Sequence, residues 1–272
     1  MELQKGKRHQ WTLFKIREDI PKKWYFTGVS AAFILLLLIW ILLSNLKLVD
    51  EVFLPTPVAV VDSFFAALSS PEYWGEIGIS VYRVFMGFLL ACLLGIPLGI
   101  LAGTFKLAES VILPVSEFIR YMPAAAFIPL IMVWAGIGET AKILVIFIGS
   151  FFQLVLMVAD DTNRIHKDLL YASYTLGANR WQVISKVIIP AMLPKLMTTM
   201  RLIMGWAWTY LVVAELVAAN NGLGYSIMKA QRFMDTESIF VGIIVIGLLG
   251  LIIDRCFAYV NKKLFPWAEG GN

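Results

Sequence analysis

Four ionisable side chains stand inside long apolar runs: Arg83, Glu117, Arg120 and Glu215. A charge in such a run is costly unless it is paired or faces a wet cavity, so each position is a functional candidate. Arg83 and Glu215 fall at matching depths in two different runs. That spacing allows an ion pair, which would act either as a lock on helix orientation or as part of a gate. Arg120 sits near the middle of its run, and Pro123 follows at once, with Pro129 beyond it. Proline frees backbone groups that must then face protein or a water-filled cavity. A guanidinium beside such a break suits the passage of an anion, because it offers several donors to an oxyanion. The alternative is a pair with Glu117, three residues earlier on the same helical face.

Catalytic chemistry finds no foothold. No Gly-x-x-x-x-Gly-Lys-Ser/Thr loop is present to hold nucleotide phosphates, so no nucleotide cofactor is expected on this chain. His9 and His166 are isolated. Cys92 and Cys256 each lie in an apolar segment with no ligand cluster nearby, so neither a disulfide nor a metal site is expected.

The elements that hold these residues are set by the solvent. Of 272 residues, 59% are apolar and only 15% are charged. Soluble domains carry more charge than that. The apolar residues come in blocks of about twenty, the length a helix needs to cross a hydrocarbon layer. Six spans are predicted: Tyr25–Asn45, Ile79–Gly103, Glu109–Ala135 (interrupted by Pro114, Pro123 and Pro129), Ala141–Ala159, Leu196–Ala219 and Ile239–Val260. The fold class is all-α, a polytopic membrane bundle of about six helices. Three parts are expected: a basic arm over 1–24, a membrane domain over 25–265 and a tail over 266–272. Between the first two spans, Thr56 and Pro57 suit the start of a short helix over Val58–Leu68 lying on the membrane surface, the alternative being a plain loop.

The net charge of +4 does not indicate nucleic acid. Seven of the 23 Lys and Arg lie in the first 24 residues, and others flank apolar blocks. With the N-terminus inside, the cytoplasmic segments hold 15 Lys and Arg and the opposite segments 4, which places both termini in the cytoplasm. Gly95, Gly99 and Gly103, spaced by four, form a small-residue stripe suited to close helix packing. Gly222 and Gly224 would shape an outer turn, either plain or re-entrant.

The largest polar segment between spans is 160–195. Asp168 is positioned to cap a short helix running to Leu176, and Gly177 to end it in a left-handed conformation. Asn179 with Gln182 completes a capping box for the next helix. The expectation is a helix–elbow–helix in the cytoplasm. Ala172, Leu176, Ala178, Trp181 and Ile184 give it apolar faces, with Arg180 and Lys186 as charges. Those faces must be covered either by another protein or by the chain's own bundle.

Tyr171-Ala172-Ser173, then Gly177, then Val187, Ile189 and Pro190 resemble the EAA loop of ATP-binding-cassette importer permeases. Tyr171 stands where that family has Glu, and Ser173 where it has the second Ala. Further segments resemble the subgroup of nitrate, sulfonate, taurine and bicarbonate permeases: Phe53-Leu-Pro-Thr-Pro57, Ser80-Val-Tyr-Arg83, Gly95-Ile-Pro-Leu-Gly99, Arg120-Tyr-Met-Pro123, Gly136-Ile-Gly-Glu-Thr-Ala-Lys142, and Ala214-Glu215 before Gly222-Leu-Gly-Tyr225.

The resemblance implies a type I importer permease-like fold whose loop over 168–190 couples to an ATPase. Tyr171, Ala172, Ser173, Leu176, Gly177, Ala178, Arg180 and Trp181 would make that contact. It also implies the partners: two cytoplasmic ATPase subunits that bind ATP and Mg, a second copy of this chain, a periplasmic or lipid-anchored solute-binding protein docking near 46–78 and 219–237, and membrane lipid. Arg120, Glu117 and Pro123 would lie along the translocation path, with Arg83 and Glu215 at the outer gate or as an ion pair. The solute would be a small oxyanion, or alternatively a neutral aromatic or vitamin precursor. A self-sufficient secondary transporter or channel is the rival from a different class.

Overall fold

The computed structural model describes residues 20–46 and 48–267. Most of the basic arm over 1–24 and of the tail over 266–272 therefore lies outside the described residues. The chain divides into two compact units, 1–62 and 63–272.

The first unit holds α1 (Lys22–Asn45) and the start of α2 (Pro57–Ser69). At 1.5 Å per residue α1 is about 36 Å long, enough to span a bilayer core. It exposes nearly all of its apolar surface. Thr56 Oγ1 accepts a hydrogen bond from the Ala59 amide at 3.2 Å, so α2 begins with the expected cap and with Pro57 as its first residue.

The second unit is all-helical among the described residues. Its long helices are α3 (Pro71–Thr104), α6 (Glu139–Asn163), α9 (Ile189–Ala218) and α11 (Thr236–Leu264). With α1, and with a bent pair counted once, six spans are present, as expected. The bent pair is α4 (Lys106–Arg120) and α5 (Ile128–Ala135), joined by a 3-10 turn over Ala124–Phe127 and bent by 92°. The sequence reading placed interruptions at three prolines, but only Pro123 breaks the helix. Pro114 stays inside α4, and Pro129 sits in the first turn of α5, where a missing N–H leaves no hydrogen bond unmade.

α3 and α6 run parallel with a constant register. A Cβ added to Gly87, Gly95, Gly99 or Gly103 would meet Ile146, Leu154, Val158 or Thr162, four facing pairs with one offset. At Gly99 that Cβ would lie 2.6 Å from Val158 Cβ and 2.9 Å from the Val155 carbonyl oxygen. The small-residue stripe is therefore a close helix contact. The other side of α6 packs on α9, and the core between them includes Val84, Ile146, Leu154, Val158, Ile203 and Leu211.

Candidate functional site

At one end of α3, Arg83 and Glu215 are both 0% exposed and 2.7 Å apart. All five guanidinium N–H donors are used. Nε and Nη2 donate to the two oxygens of Glu139 at 2.6 and 2.8 Å. Nη1 donates to Glu215 Oε1 and to the Asn221 carbonyl at 2.8 Å, and Nη2 also donates to Asn221 Oδ1. Glu215 additionally accepts from Ser80 Oγ at 2.8 Å and from the Gly224 amide at 2.7 Å. Lys142 donates to Glu139 at 2.8 Å. Two cations thus face two carboxylates, and the hydrogen bonding is complete, which a buried ion pair requires if it is not to destabilise.

This cluster clamps the loop between α9 and α10 (Leu223–Arg232). The Gly222 amide donates to Glu76 and the Leu223 amide to Ser80 Oγ at 2.9 Å. Gly222 has φ +105, and a Cβ there would strike the Arg83 and Glu215 side chains. Glycine is required at this position by both conformation and space.

At the bend between α4 and α5, Arg120 is exposed. Its Nη2 donates to Tyr121 Oη at 3.2 Å, and the guanidinium lies 4.8 Å from the centre of the Tyr121 ring. The pair with Glu117, the alternative reading of Arg120, is not made. α4 ends at Arg120, and the side chain turns onto the neighbouring ring instead. Pro123 opens the 3-10 turn.

The polar segment forms α7 (Lys167–Thr175) and α8 (Arg180–Val183). Asp168 does not cap α7: His166 holds the N-cap position and Asp168 lies within the first turn. The elbow is as expected. Gly177 has φ +82, its amide donates to Tyr174 O at 2.9 Å, and the Ala178 amide donates to Ser173 O at 3.0 Å. Those two bonds make a Schellman motif. Asn179 and Gln182 exchange the two bonds of a capping box, both at 2.9 Å. A π turn over Ile184–Ile188 then leads into α9. Pro190 follows directly; it supplies no N–H, and its ring would crowd the carbonyl four residues back, so a wider turn suits this place.

The elbow has two faces. Leu170, Ala178, Val183 and Ile184 pack on the core, whereas Tyr171 and Tyr174 point outward with Leu176 (88% exposed) and Trp181 (74% exposed). The bundle covers one side and leaves an aromatic and aliphatic patch on the other.

Comparison with known proteins decides what kind of protein carries this arrangement. Residues 95–266 match the model of the binding-protein-dependent transport system inner membrane component family. The chain belongs to that family. The taurine transport system permease protein of Escherichia coli is 32% identical, over 85% of this chain and 86% of its own length. The nitrate import permease protein of Leptolyngbya laminosa is 28% identical, over 92% of this chain and 89% of its own. The fold is also that of a chain in the inward-facing MetNI methionine ABC transporter, with a TM-score of 0.56 and 23% identity, covering 67% of this chain and 94% of the other.

As a member of this family, the chain is a membrane-embedded permease component of an ABC importer. The structure brings Arg83 and Glu215 together, gathers Tyr171 to Trp181 on one elbow, and separates Arg120 from Glu117. Sequence reasoning did not place Ser80, Glu139 or Asn221 beside Arg83. It also passed over Arg201 in α9 and Asp254 in α11, whose bidentate pair includes Arg201 Nη2 to Asp254 Oδ2 at 2.6 Å. The rule that flags charges inside apolar spans would have found that pair.

Proposed function

We propose that this permease forms the membrane path of an ATP-driven, binding-protein-dependent importer of a small oxyanion, an organosulfonate such as taurine being the favoured class. Two copies would enclose the path. Two ATPase subunits, which bind ATP and Mg, would grip the elbows from the cytoplasm, where both termini also lie. A solute-binding protein would dock on the outer side around 219–237. Closure of the ATPases on ATP would push the elbows and switch the accessible side of the path.

The observation that carries this reading is the elbow. It is a rigid, doubly capped turn with an uncovered apolar face at Leu176 and Trp181, and an exposed patch of this kind marks a protein contact. The departure of Tyr171 and Ser173 from the Glu-Ala-Ala pattern leaves the turn intact, because Ser173 contributes its carbonyl. Transported oxyanions are favoured by the named solutes of the taurine and nitrate relatives and by the cation at the broken span.

Gly177→Val tests the coupling role. A β-branched residue at φ +82 is strained by about 1–3 kcal/mol, which should collapse the elbow. Reconstituted with ATPase and binding protein, the variant should lose ATP-driven uptake while the permease itself remains folded. Unchanged uptake and unchanged co-purification with the ATPase would refute the assignment, and so would uptake by the permease alone.

A further inference from the structure

We infer that the recess beside the bend of the third span is a passage subsite for an organosulfonate, with Arg120 meeting the anionic head and an aromatic wall flanking the carbon body. The inference rests on the oxyanion reading above and adds the residues that meet the solute and a structural reason for an organic body. Phe127, Phe152, Gln153, Trp206 and Tyr210 line the recess together with Arg120. Its volume is about 40 Å³. Roughly 10–15 Å³ suffices for one water, so the recess can seat a small head group but not a whole organic molecule. The body would extend along the open side, past the exposed faces of Trp206 and Tyr121.

The lining contains no carboxylate. Arg120 is engaged by the Tyr121 phenol and ring, and among the described residues no carboxylate pairs with its positive charge. Gln153 Oε1 is buried with no hydrogen-bond partner. A buried amide oxygen without a partner is unfavourable, and rotation about the last side-chain bond would turn the NH2 toward a bound anion. The indole N–H of Trp206 and the hydroxyl of Tyr210 are further donors.

The set is therefore rich in donors and poor in fixed acceptors, as a sulfonate with three acceptor oxygens requires. Four aromatic rings in the same lining would be wasted on bare nitrate but match a carbon chain. Backbone geometry holds the site in place. The Tyr210 ring packs on Gly149, where a Cβ would lie 2.6 Å from ring carbons, and Arg120 is the last residue of α4, three before Pro123.

The test uses the full complex of permease, ATPase and binding protein in proteoliposomes. Uptake of labelled taurine, ethanesulfonate and nitrate is measured alongside ATP hydrolysis. The wild type should carry a sulfonate in preference to nitrate. Arg120→Gln should lower sulfonate uptake about tenfold or more, the loss expected for a charge-assisted hydrogen bond. ATP hydrolysis stimulated by the binding protein should stay within about twofold, and Arg120→Lys should recover part of the uptake. Gln153→Leu should lower uptake several-fold with assembly intact.

Wild-type sulfonate uptake that neither Arg120→Gln nor Gln153→Leu reduces would overturn the subsite and leave the importer reading standing. Transport of nitrate with neither sulfonate carried would overturn the choice of an organic solute. Uptake of no oxyanion at all would instead sink the reading under the proposed function. Should Arg120→Gln fail to assemble, Gln153→Leu decides: normal sulfonate uptake in that variant overturns the subsite.

Discussion

Replacing Glu215 by Gln removes one charge from a pair that water does not reach. Arg83 and Glu215 are both fully buried, and Glu215 receives donors from Arg83, Ser80 and Gly224. The amide retains one acceptor oxygen but turns an NH2 toward groups that are themselves donors. Removing one partner of a buried ion pair costs about 3–5 kcal/mol. The lower end is expected here, because Glu139 still holds Arg83. About 3 kcal/mol changes the ratio of folded to unfolded protein more than a hundredfold. The control is Asp160→Asn, which breaks the exposed pair of Asp160 with Arg164 and should cost less than about 0.5 kcal/mol. Thermal unfolding of the purified permease in detergent, followed by tryptophan fluorescence, reads both. The double variant Arg83→Met with Glu215→Leu should be less destabilised than Glu215→Gln, since both buried charges leave together and Glu139 keeps Lys142. Equal shifts for Glu215→Gln and Asp160→Asn, or a double variant worse than Glu215→Gln, would refute the claim that this cluster is held by mutual compensation.

Two further outcomes follow from the packing and the caps. Gly99→Ala should destabilise by about 1–3 kcal/mol, the usual cost of overpacking, because its Cβ has no room against Val158. Gly78→Ala on the same helix, where nothing lies within 4 Å, should instead stabilise by about 0.5–1 kcal/mol through helix propensity; the same unfolding assay separates them by sign. Asn179→Ala removes the capping box and should weaken α8 by about 1 kcal/mol, seen as faster amide hydrogen exchange over 180–183 with the global unfolding transition unchanged.

The helices were legible because a bilayer imposes length and apolarity, which are local properties of the chain. The elbow was legible for a similar reason: Gly177, Asn179 and Gln182 act on backbone groups within a few residues of themselves. The pairing of Arg83 with Glu215 could be anticipated from equal depth. Its other partners could not, since Asn221 and Glu139 arrive from a loop and from a different helix. The alternative pairing of Glu117 with Arg120 fails for the same reason. Spacing of three residues puts two side chains on one helical face, yet Arg120 is the last residue of α4 and is free to turn onto Tyr121. The recess is a product of the bend, and no spacing rule brings Gln153 and Tyr210 to Arg120.

The placement of these features limits how the second unit can change shape. α6 touches α3 along four glycine positions with no spare room, and each end of α6 is also tied. At one end Glu139 holds Arg83; at the other, Thr199 of α9 donates to Asp161 at 2.5 Å and Thr162 lies against Met192. Close-packed interiors of this kind do not deform smoothly. Helices α3, α6 and α9 must therefore move as one body, and the push on the elbow proposed above would enter that body through the π turn ahead of Pro190. The loop over 221–223 is tied to the same body through Arg83, Glu76 and Ser80, so the compliant place is the 92° bend at Pro123. A change of access across the membrane, as the proposed importer needs, would use that bend, by rigid motion about it and not by sliding α3 past α6.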